Sequence, residues 1–166
     1  FDITGVSFKV SSEIINNGGA DVTEKGFCFA TTENPTIENS KKTVDGDEFE
    51  TTIAELAPVT TYYVRAYAVN SIGTSYSEQV LVKTLAVLAT VSDVASSDIT
   101  GSSFKVSSTI TFNGGAEVTE KGFCYSTTEN PTVENNKQVV VGDEFETTIA
   151  ELEPATTYYV RAYAIN

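Results

Sequence analysis

A sequence repeat dominates this chain: "LAPVTTYYVRAYAVN", residues 56–70, returns as "LEPATTYYVRAYAIN", residues 152–166. A shift of 96 positions aligns residues 2–70 with residues 98–166 without an insertion, and 54 of the 69 pairs are identical. So close a match predicts two copies of one folding unit, and such copies usually belong to longer arrays. We predict two domains, at 1–84 and 85–166.

The two copies have different boundaries. The segment "LATVSDVASSD", residues 88–98, precedes the second copy and has no counterpart before Phe1. The segment "SIGTSYSEQVLVKTL", residues 71–85, follows the first copy and has no counterpart after Asn166. We therefore expect the first domain to lack its opening strand and the second its closing strand. Either the chain is excised from a longer array, or neighbouring chains supply the missing strands.

Strand patterns fill each copy. "SFKVSSEII", residues 7–15, alternates apolar and polar residues, which is the period of a half-buried strand. "TYYVRAYAVN", residues 61–70, places Tyr62 and Val64 on one face and Tyr63 and Arg65 on the other. Turn residues such as Gly, Pro, Asn and Asp separate these segments. About seven short strands per full unit predict an all-β fold, a sandwich of two antiparallel sheets.

Charge and composition exclude several partners. The 23 acidic and 10 basic residues give a net charge of -13, which repels nucleic acids and anionic lipid surfaces. No apolar run approaches the roughly 20 residues that a membrane-spanning helix needs. We therefore expect no nucleic-acid partner and no membrane insertion by this segment.

The two cysteines, Cys28 and Cys124, occupy equivalent positions in the two copies. Equivalent positions in tandem domains lie about a domain length apart, beyond the roughly 7 Å between α-carbons that a disulfide tolerates. We expect two free thiols that fill the cores. Cysteine usage therefore leaves the cellular compartment open.

The segment "LAPVTTYYVRAYAVNSIGTS", residues 56–75, resembles the corner, penultimate strand and following turn of fibronectin type III domains. "VTEKGFCFATTENPT", residues 22–36, is further similar to a divergent bacterial branch of that family, found in repeated, exported surface proteins. The resemblance covers essentially the whole chain and implies tandem immunoglobulin-like β-sandwiches. The chain departs from the animal pattern in having no tryptophan, and we assign Phe8 and Phe104 as partial substitutes.

The resemblance also implies structural roles at the corner between the sheets. The tyrosine there packs inward, and its hydroxyl bonds to the backbone just upstream. The residues that carry this role in the two copies are Tyr62, Leu56 and Pro58, and Tyr158, Leu152 and Pro154.

A row of outward-facing residues is the candidate binding face. It consists of Tyr63, Arg65 and Tyr67 in the first copy and of Tyr159, Arg161 and Tyr163 in the second. Aromatic rings beside a guanidinium can hold a sugar or a peptide strand. Alternatively, the rings lie across Gly26 and Cys28 and only cover the sheet, which requires Phe27 and Phe29 to point inward. Volume complementarity with the small Ala66 and Ala68 favours that alternative.

Catalysis and metal binding have weak support in the sequence. The chain has no histidine, so it lacks the usual general base and the commonest nitrogen ligand for zinc. The acidic stretches "DGDEFE", residues 45–50, and "GDEFE", residues 142–146, raise the alternative of a calcium site. The glutamates alternate with phenylalanine, which indicates instead that their side chains lie on the solvent face of a strand. We expect no enzyme and no cofactor, with calcium as the alternative.

The leading functional expectation is a non-catalytic repeat module, a stiff spacer or adhesive stalk of a secreted or cell-surface bacterial protein. Its partners would be neighbouring repeats of the same protein, with surface glycans or proteins as the alternative. A third alternative is a fibre-forming subunit that self-associates through exposed edge strands. We expect those edges at residues 7–15 and 158–166.

Overall fold

The computed structural model describes residues 2–46 and 48–166, and the regular secondary structure in these ranges is β-strand throughout. The chain divides into two compact units, Phe1–Ala86 and Val87–Asn166, called unit 1 and unit 2 below. Each unit has its own hydrophobic core.

Unit 1 is built from two antiparallel sheets. Its strands are β1 (Phe8–Ser11), β2 (Glu24–Ala30), β3 (Ser40–Thr43), β4 (Glu50–Ile53), β5 (Thr61–Asn70), β6 (Gly73–Tyr76) and β7 (Val80–Lys83). One sheet pairs β1 with β4. The other has the order β3-β2-β5-β6, and β7 pairs with the first half of β5. The long strand β5 is therefore central, with β2 on one side and the β6–β7 segment on the other.

The alternation of β1 explains how the two layers of unit 1 meet. Phe8 and Val10 lie on one face of the strand and are buried, together with Ile53 of the paired strand β4. The facing sheet contributes Phe27 and Val64 to the same cluster. Burying side chains of this size supplies on the order of 1.5–3 kcal/mol each, which is what joins the two sheets.

Unit 2 has the same arrangement around its own core. Its strands are β8 (Thr90–Val91), β9 (Ala95–Ser97), β10 (Phe104–Ser107), β11 (Ile110–Phe112), β12 (Glu120–Ser126), β13 (Asn136–Val139), β14 (Glu146–Ile149) and β15 (Tyr159–Ile165). The sheets have the orders β14-β10-β9 and β13-β12-β15, and β8 pairs with β11. The two opening strands of unit 2 therefore pair with consecutive strands: β9 pairs with β10, and β8 pairs with β11.

Strand register is identical in the two units. Phe8 pairs with Ile53, as Phe104 pairs with Ile149, and Gly26 lies opposite Tyr67 on the neighbouring strand. Together with the sheet orders and cores, this confirms the predicted fold class, all-β with tandem immunoglobulin-like sandwiches. The inward orientation of Phe27 and Phe29 is also confirmed, because both pack in the core of unit 1 with Ala66.

The first predicted strand is shorter than the alternation at residues 7–15 indicates. β1 ends at Ser11, while Ile14 is 38% exposed and Ile15 is 91% exposed. In unit 2 the equivalent segment, β11, forms a strand because β8 pairs with it. The Ser12 N–H still donates to the carbonyl oxygen of Phe49 at 2.8 Å, but within the described ranges no strand pairs with residues 13–15.

Candidate functional site

The tyrosine row of β5 does not form an exposed platform in unit 1. Tyr67 is only 1% exposed, and its hydroxyl donates a hydrogen bond to Oε1 of Glu24 at 2.7 Å. The ring lies over the neighbouring strand at Gly26, where a β-carbon would come within 2.9 Å of the Tyr67 hydroxyl oxygen. The missing side chain of Gly26 therefore lets the ring lie flat and become buried, although it projects from the outer face of the sheet.

Lys41 completes this outer cluster. Its Nζ lies 2.8 Å from Oε1 of Glu24 and 5.8 Å from the centre of the Tyr67 ring. The hydrogen bond from Lys41, and then that from Tyr67, lower the pKa of Glu24. Burial, followed by the hydrogen bond to Glu24, raises the pKa of Tyr67. The phenol therefore stays protonated as a donor, and the carboxylate stays charged as its acceptor.

Arg65 is held by the segment that follows β5. Its Nε donates a hydrogen bond to the carbonyl oxygen of Ser77 at 2.8 Å. The guanidinium also lies 4.6 Å from the centre of the Tyr76 ring, a cation–π contact. The hydrogen bond to Ser77 and the contact with Tyr76 both hold the arginine against its own sheet.

Unit 2 repeats the outer cluster. The Tyr163 hydroxyl donates to Oε1 of Glu120 at 2.7 Å, and Nζ of Lys137 lies 3.0 Å from the same oxygen. Hydrogen bonds from Tyr163, then Lys137, lower the pKa of Glu120. The same Tyr-Glu-Lys cluster thus recurs in both units, where it covers the outer face of the sheet.

The same row is more exposed in unit 2. Arg161 is exposed and Tyr159 is 38% exposed, whereas Arg65 and Tyr63 are half-buried. Of the predicted binding residues, these two are the ones that the structure leaves accessible. The difference follows from the β6–β7 segment, which lies beside β5 in unit 1 and has no counterpart among the described strands of unit 2.

The corner tyrosines bond to the backbone just upstream. The Tyr62 hydroxyl accepts a hydrogen bond from the Ala57 backbone N–H at 3.1 Å, and Tyr158 accepts one from Glu153 at 3.2 Å. The Tyr62 ring packs against the core, 6.2 Å from Phe8 between ring centres. Leu56 is buried beside it, Leu152 is half-buried, Pro58 is half-buried and Pro154 is exposed.

Removing the corner hydroxyl tests its contribution. We expect Tyr62→Phe to lower the free energy of unfolding of unit 1 by about 1 kcal/mol, the usual net value of one hydrogen bond. Urea unfolding followed by NMR signals assigned to each unit measures it. Tyr63→Phe is the matched control, because no described residue bonds to the Tyr63 hydroxyl, and it should change stability by less than about 0.5 kcal/mol. Equal effects of the two substitutions would contradict the assignment.

Both cysteines are free and buried. The Cys28 Sγ donates to the carbonyl oxygen of Pro35 at 3.3 Å, and Cys124 makes the equivalent bond to Pro131 at 3.4 Å. Burial raises the pKa of both thiols. A buried, protonated thiol is a poor nucleophile. The two cysteines alternate with the inward-facing Phe27 and Phe123 and lie opposite Arg65 and Arg161, so they fill space on the outer faces of their sheets and not in the cores.

In the described residues, each acidic stretch leads into a strand, β4 in unit 1 and β14 in unit 2. Phe49 and Phe145 pack in the two cores, and Glu50 pairs with Lys9 at 2.7 Å. Asp47 of the first stretch lies outside the described residues. Across ranges 2–46 and 48–166, no three acidic or cysteine side chains converge as metal ligands would. Calcium binding stays a prediction.

The described residues contain no helix that is long and apolar enough to cross a membrane. No family model matches the chain. No curated protein matches it either. Among solved structures, the chain is similar to the FN1-FN3 domains of chicken CNTN1, a set of fibronectin type III domains, with 18% identity and a TM-score of 0.40. The match covers 99% of this chain and 58% of the CNTN1 chain. This chain therefore spans less than two thirds of the length of the CNTN1 chain.

Proposed function

We propose that the chain is a pair of non-catalytic structural modules, a stiff spacer within a longer repetitive protein of the cell surface or secreted space. The observation that carries the proposal is the duplication itself, with 54 of 69 paired residues identical and one register in both units. Repetition without functional divergence is what a spacer requires, since each copy serves only to add length. The resemblance to bacterial surface repeats supports the location.

The connection between the units supports stiffness. The Leu85 backbone N–H donates to the carbonyl oxygen of Thr4 at 2.9 Å, which anchors the end of unit 1. The Val87 N–H donates to the carbonyl oxygen of Gly114 at 2.9 Å, which anchors the start of unit 2. Ala86 is therefore the single residue between two backbone anchors, which is too short for a free hinge.

A longer linker tests the spacer role. We expect the small-angle scattering profile of the whole chain to fit one narrow distribution of maximum dimensions. Inserting Gly-Ser-Gly-Ser after Ala86 adds a flexible reach of about 11 Å and should broaden that distribution. The same insertion after Gly46, in a surface turn of unit 1, is the control and should leave it unchanged. A parent chain as broad as the insertion variant would refute the stiff spacer.

A sugar- or protein-binding role through the tyrosine row has less support. The cluster around Tyr67 is internally satisfied, and Arg65 already bonds to Ser77 and stacks on Tyr76. A ligand would have to displace these contacts in unit 1. In unit 2, Tyr159 and Arg161 are exposed on β15, which is an edge strand among the described residues.

A further inference from the structure

The edge strand β13 of unit 2 differs strongly from its counterpart β3 in unit 1. The two copies differ at 15 of their 69 aligned positions, and four of these differences lie within six consecutive positions. There "SKKTVD", residues 40–45, is replaced by "NKQVVV", residues 136–141. Three of the four differences remove a charge or a hydroxyl, with Gln138, Val139 and Val141 in place of Lys42, Thr43 and Asp45. Both strands lie well inside the chain, and each is an edge of its sheet.

The valines form an apolar strip on the surface of unit 2. Val139 is 42% exposed and Val141 is 91% exposed, although valine is ordinarily a buried residue. In unit 1 the matching side chains of Thr43 and Asp45 are exposed as well, but they are polar. Charged and polar side chains on an edge strand oppose pairing with another chain. The edge of β3 has this protection, and the edge of β13 lacks most of it.

The backbone of β13 is open to a further strand. Among the described residues, β13 pairs with β12 on one side alone. The Val140 N–H, just after the strand, donates to the carbonyl oxygen of Lys121 on β12 at 2.9 Å. Because successive residues of a strand direct their backbone groups to opposite sides, Lys137, Val139 and Val141 direct theirs to the open edge.

The side chains along this edge are self-complementary. Lys137 lies on the outer face, with its Nζ 5.9 Å from the centre of the outer tyrosine ring of unit 2. Val139 and Val141 follow at two-residue steps, and the exposed Asp143 comes just past the bend at Gly142. A row of one cation, two valines and one anion matches itself in the reverse direction. The valines then meet each other, and each cation meets an anion.

We propose that β13 is a self-association edge, which pairs antiparallel with β13 of a second copy of this chain. Pairing about Val140 places Val139 of each copy opposite Val141 of the other. It also brings Lys137 of each copy to the end of the strand where Asp143 of the other lies. The interface is two-fold symmetric and joins the two β13-β12-β15 sheets into one. This lateral association goes beyond the spacer role, because it joins neighbouring chains side by side.

Charge and area set the strength of this pairing. The net charge of -13 opposes the association of two copies, but charges farther apart than about 8 Å are largely screened at physiological salt. A short edge buries less area than a stable dimer needs, so we expect a weak dimer with a dissociation constant on the order of 0.1–1 mM. The scattering test of the spacer is made on dilute chains, so its result is independent of this pairing.

A concentration series of the whole chain, followed by NMR, tests the proposal. Between about 0.05 and 2 mM we expect amide signals of residues 136–141 to shift and translational diffusion to slow as dimers form. Signals of residues 40–45 should stay unchanged, which makes unit 1 an internal control. A chain that stays monomeric over this range would overturn the proposal. Equal shifts in both units, or shifts confined to the edge at residues 158–165, would overturn it as well.

Exchanging residues between the two copies provides matched variants. The double variant Val139→Thr with Val141→Asp gives β13 the side chains of β3 and should weaken association at least about tenfold. The double variant Thr43→Val with Asp45→Val gives β3 the strip of β13, so it should create a second edge and assemblies larger than dimers. All four side chains are exposed, so the exchanges leave both cores intact. Unchanged affinity of the first variant, or no additional association of the second, would contradict the assigned edge.

Discussion

Phe8→Ala is expected to lower the free energy of unfolding of unit 1 by about 3–5 kcal/mol, the range for truncating a buried phenylalanine. Phe8 is completely buried, and it contacts both sheets through the core and through the ring of Tyr62. The substitution removes that apolar contact area and leaves a void that the two sheets cannot close. Urea unfolding followed by unit-assigned NMR signals measures the loss.

Phe104→Ala in unit 2 is the matched variant. The two phenylalanines have the same register, but Phe104 is half-buried and lines a surface cavity of unit 2. We expect its loss to cost at least about 1 kcal/mol less than the loss of Phe8, because less area returns to water. Equal costs of the two substitutions would contradict the difference in burial between Phe8 and Phe104.

Much of the fold could be predicted from the sequence because its determinants are local and repeated. Alternation in residues 7–10 places Phe8 and Val10 on one face, and the structure buries both. The duplication predicts that any contact in one copy has a counterpart 96 residues later, as the Tyr62 and Tyr158 corners do. The end of the first strand could not be predicted in this way, because Ile14 and Ile15 need a neighbouring strand to stay in a sheet.

The outer cluster was harder to predict than the core. Alternation assigns Tyr67 to the outer face, and an outer face is ordinarily taken as exposed. Its burial depends on the register between β5 and β2, which brings Gly26 opposite the ring and Glu24 within reach of its hydroxyl. That register is set by pairing across some 40 residues of chain, and the single local signal was the glycine within a strand.

The exposure of Arg161 and Tyr159 likewise depends on a strand that is distant in sequence. Arg65 is held by Ser77 and Tyr76, residues of a segment that the first copy alone possesses within the described chain. Identical residues in the two copies thus have different surroundings. Sequence identity predicts the same backbone for both, but it does not predict which of them is accessible to a partner.

Gly26→Ala is expected to destabilise unit 1 by about 2–3 kcal/mol, at the upper end of the cost of overpacking. A β-carbon at this position would lie 2.2 Å from the carbonyl oxygen of Lys42 and 2.9 Å from Cα of Thr43. These are backbone atoms of the paired strand β3, so rotating a side chain cannot relieve the clash. The strands must separate, and the cover provided by Tyr67 is disturbed with them.

The sign of the stability change distinguishes a steric clash at Gly26 from the usual entropic effect of replacing glycine by alanine. Where space is open and the backbone is compatible, Gly→Ala stabilises by about 0.4–1 kcal/mol, because alanine restricts the unfolded chain. Gly101→Ala is the control, since a β-carbon there meets no atom within 4 Å and its φ is not positive. Gly122→Ala, whose β-carbon would lie 2.3 Å from the Gln138 carbonyl oxygen, should match Gly26→Ala. A neutral or stabilising Gly26→Ala would show that the outer tyrosine cover does not depend on the missing side chain.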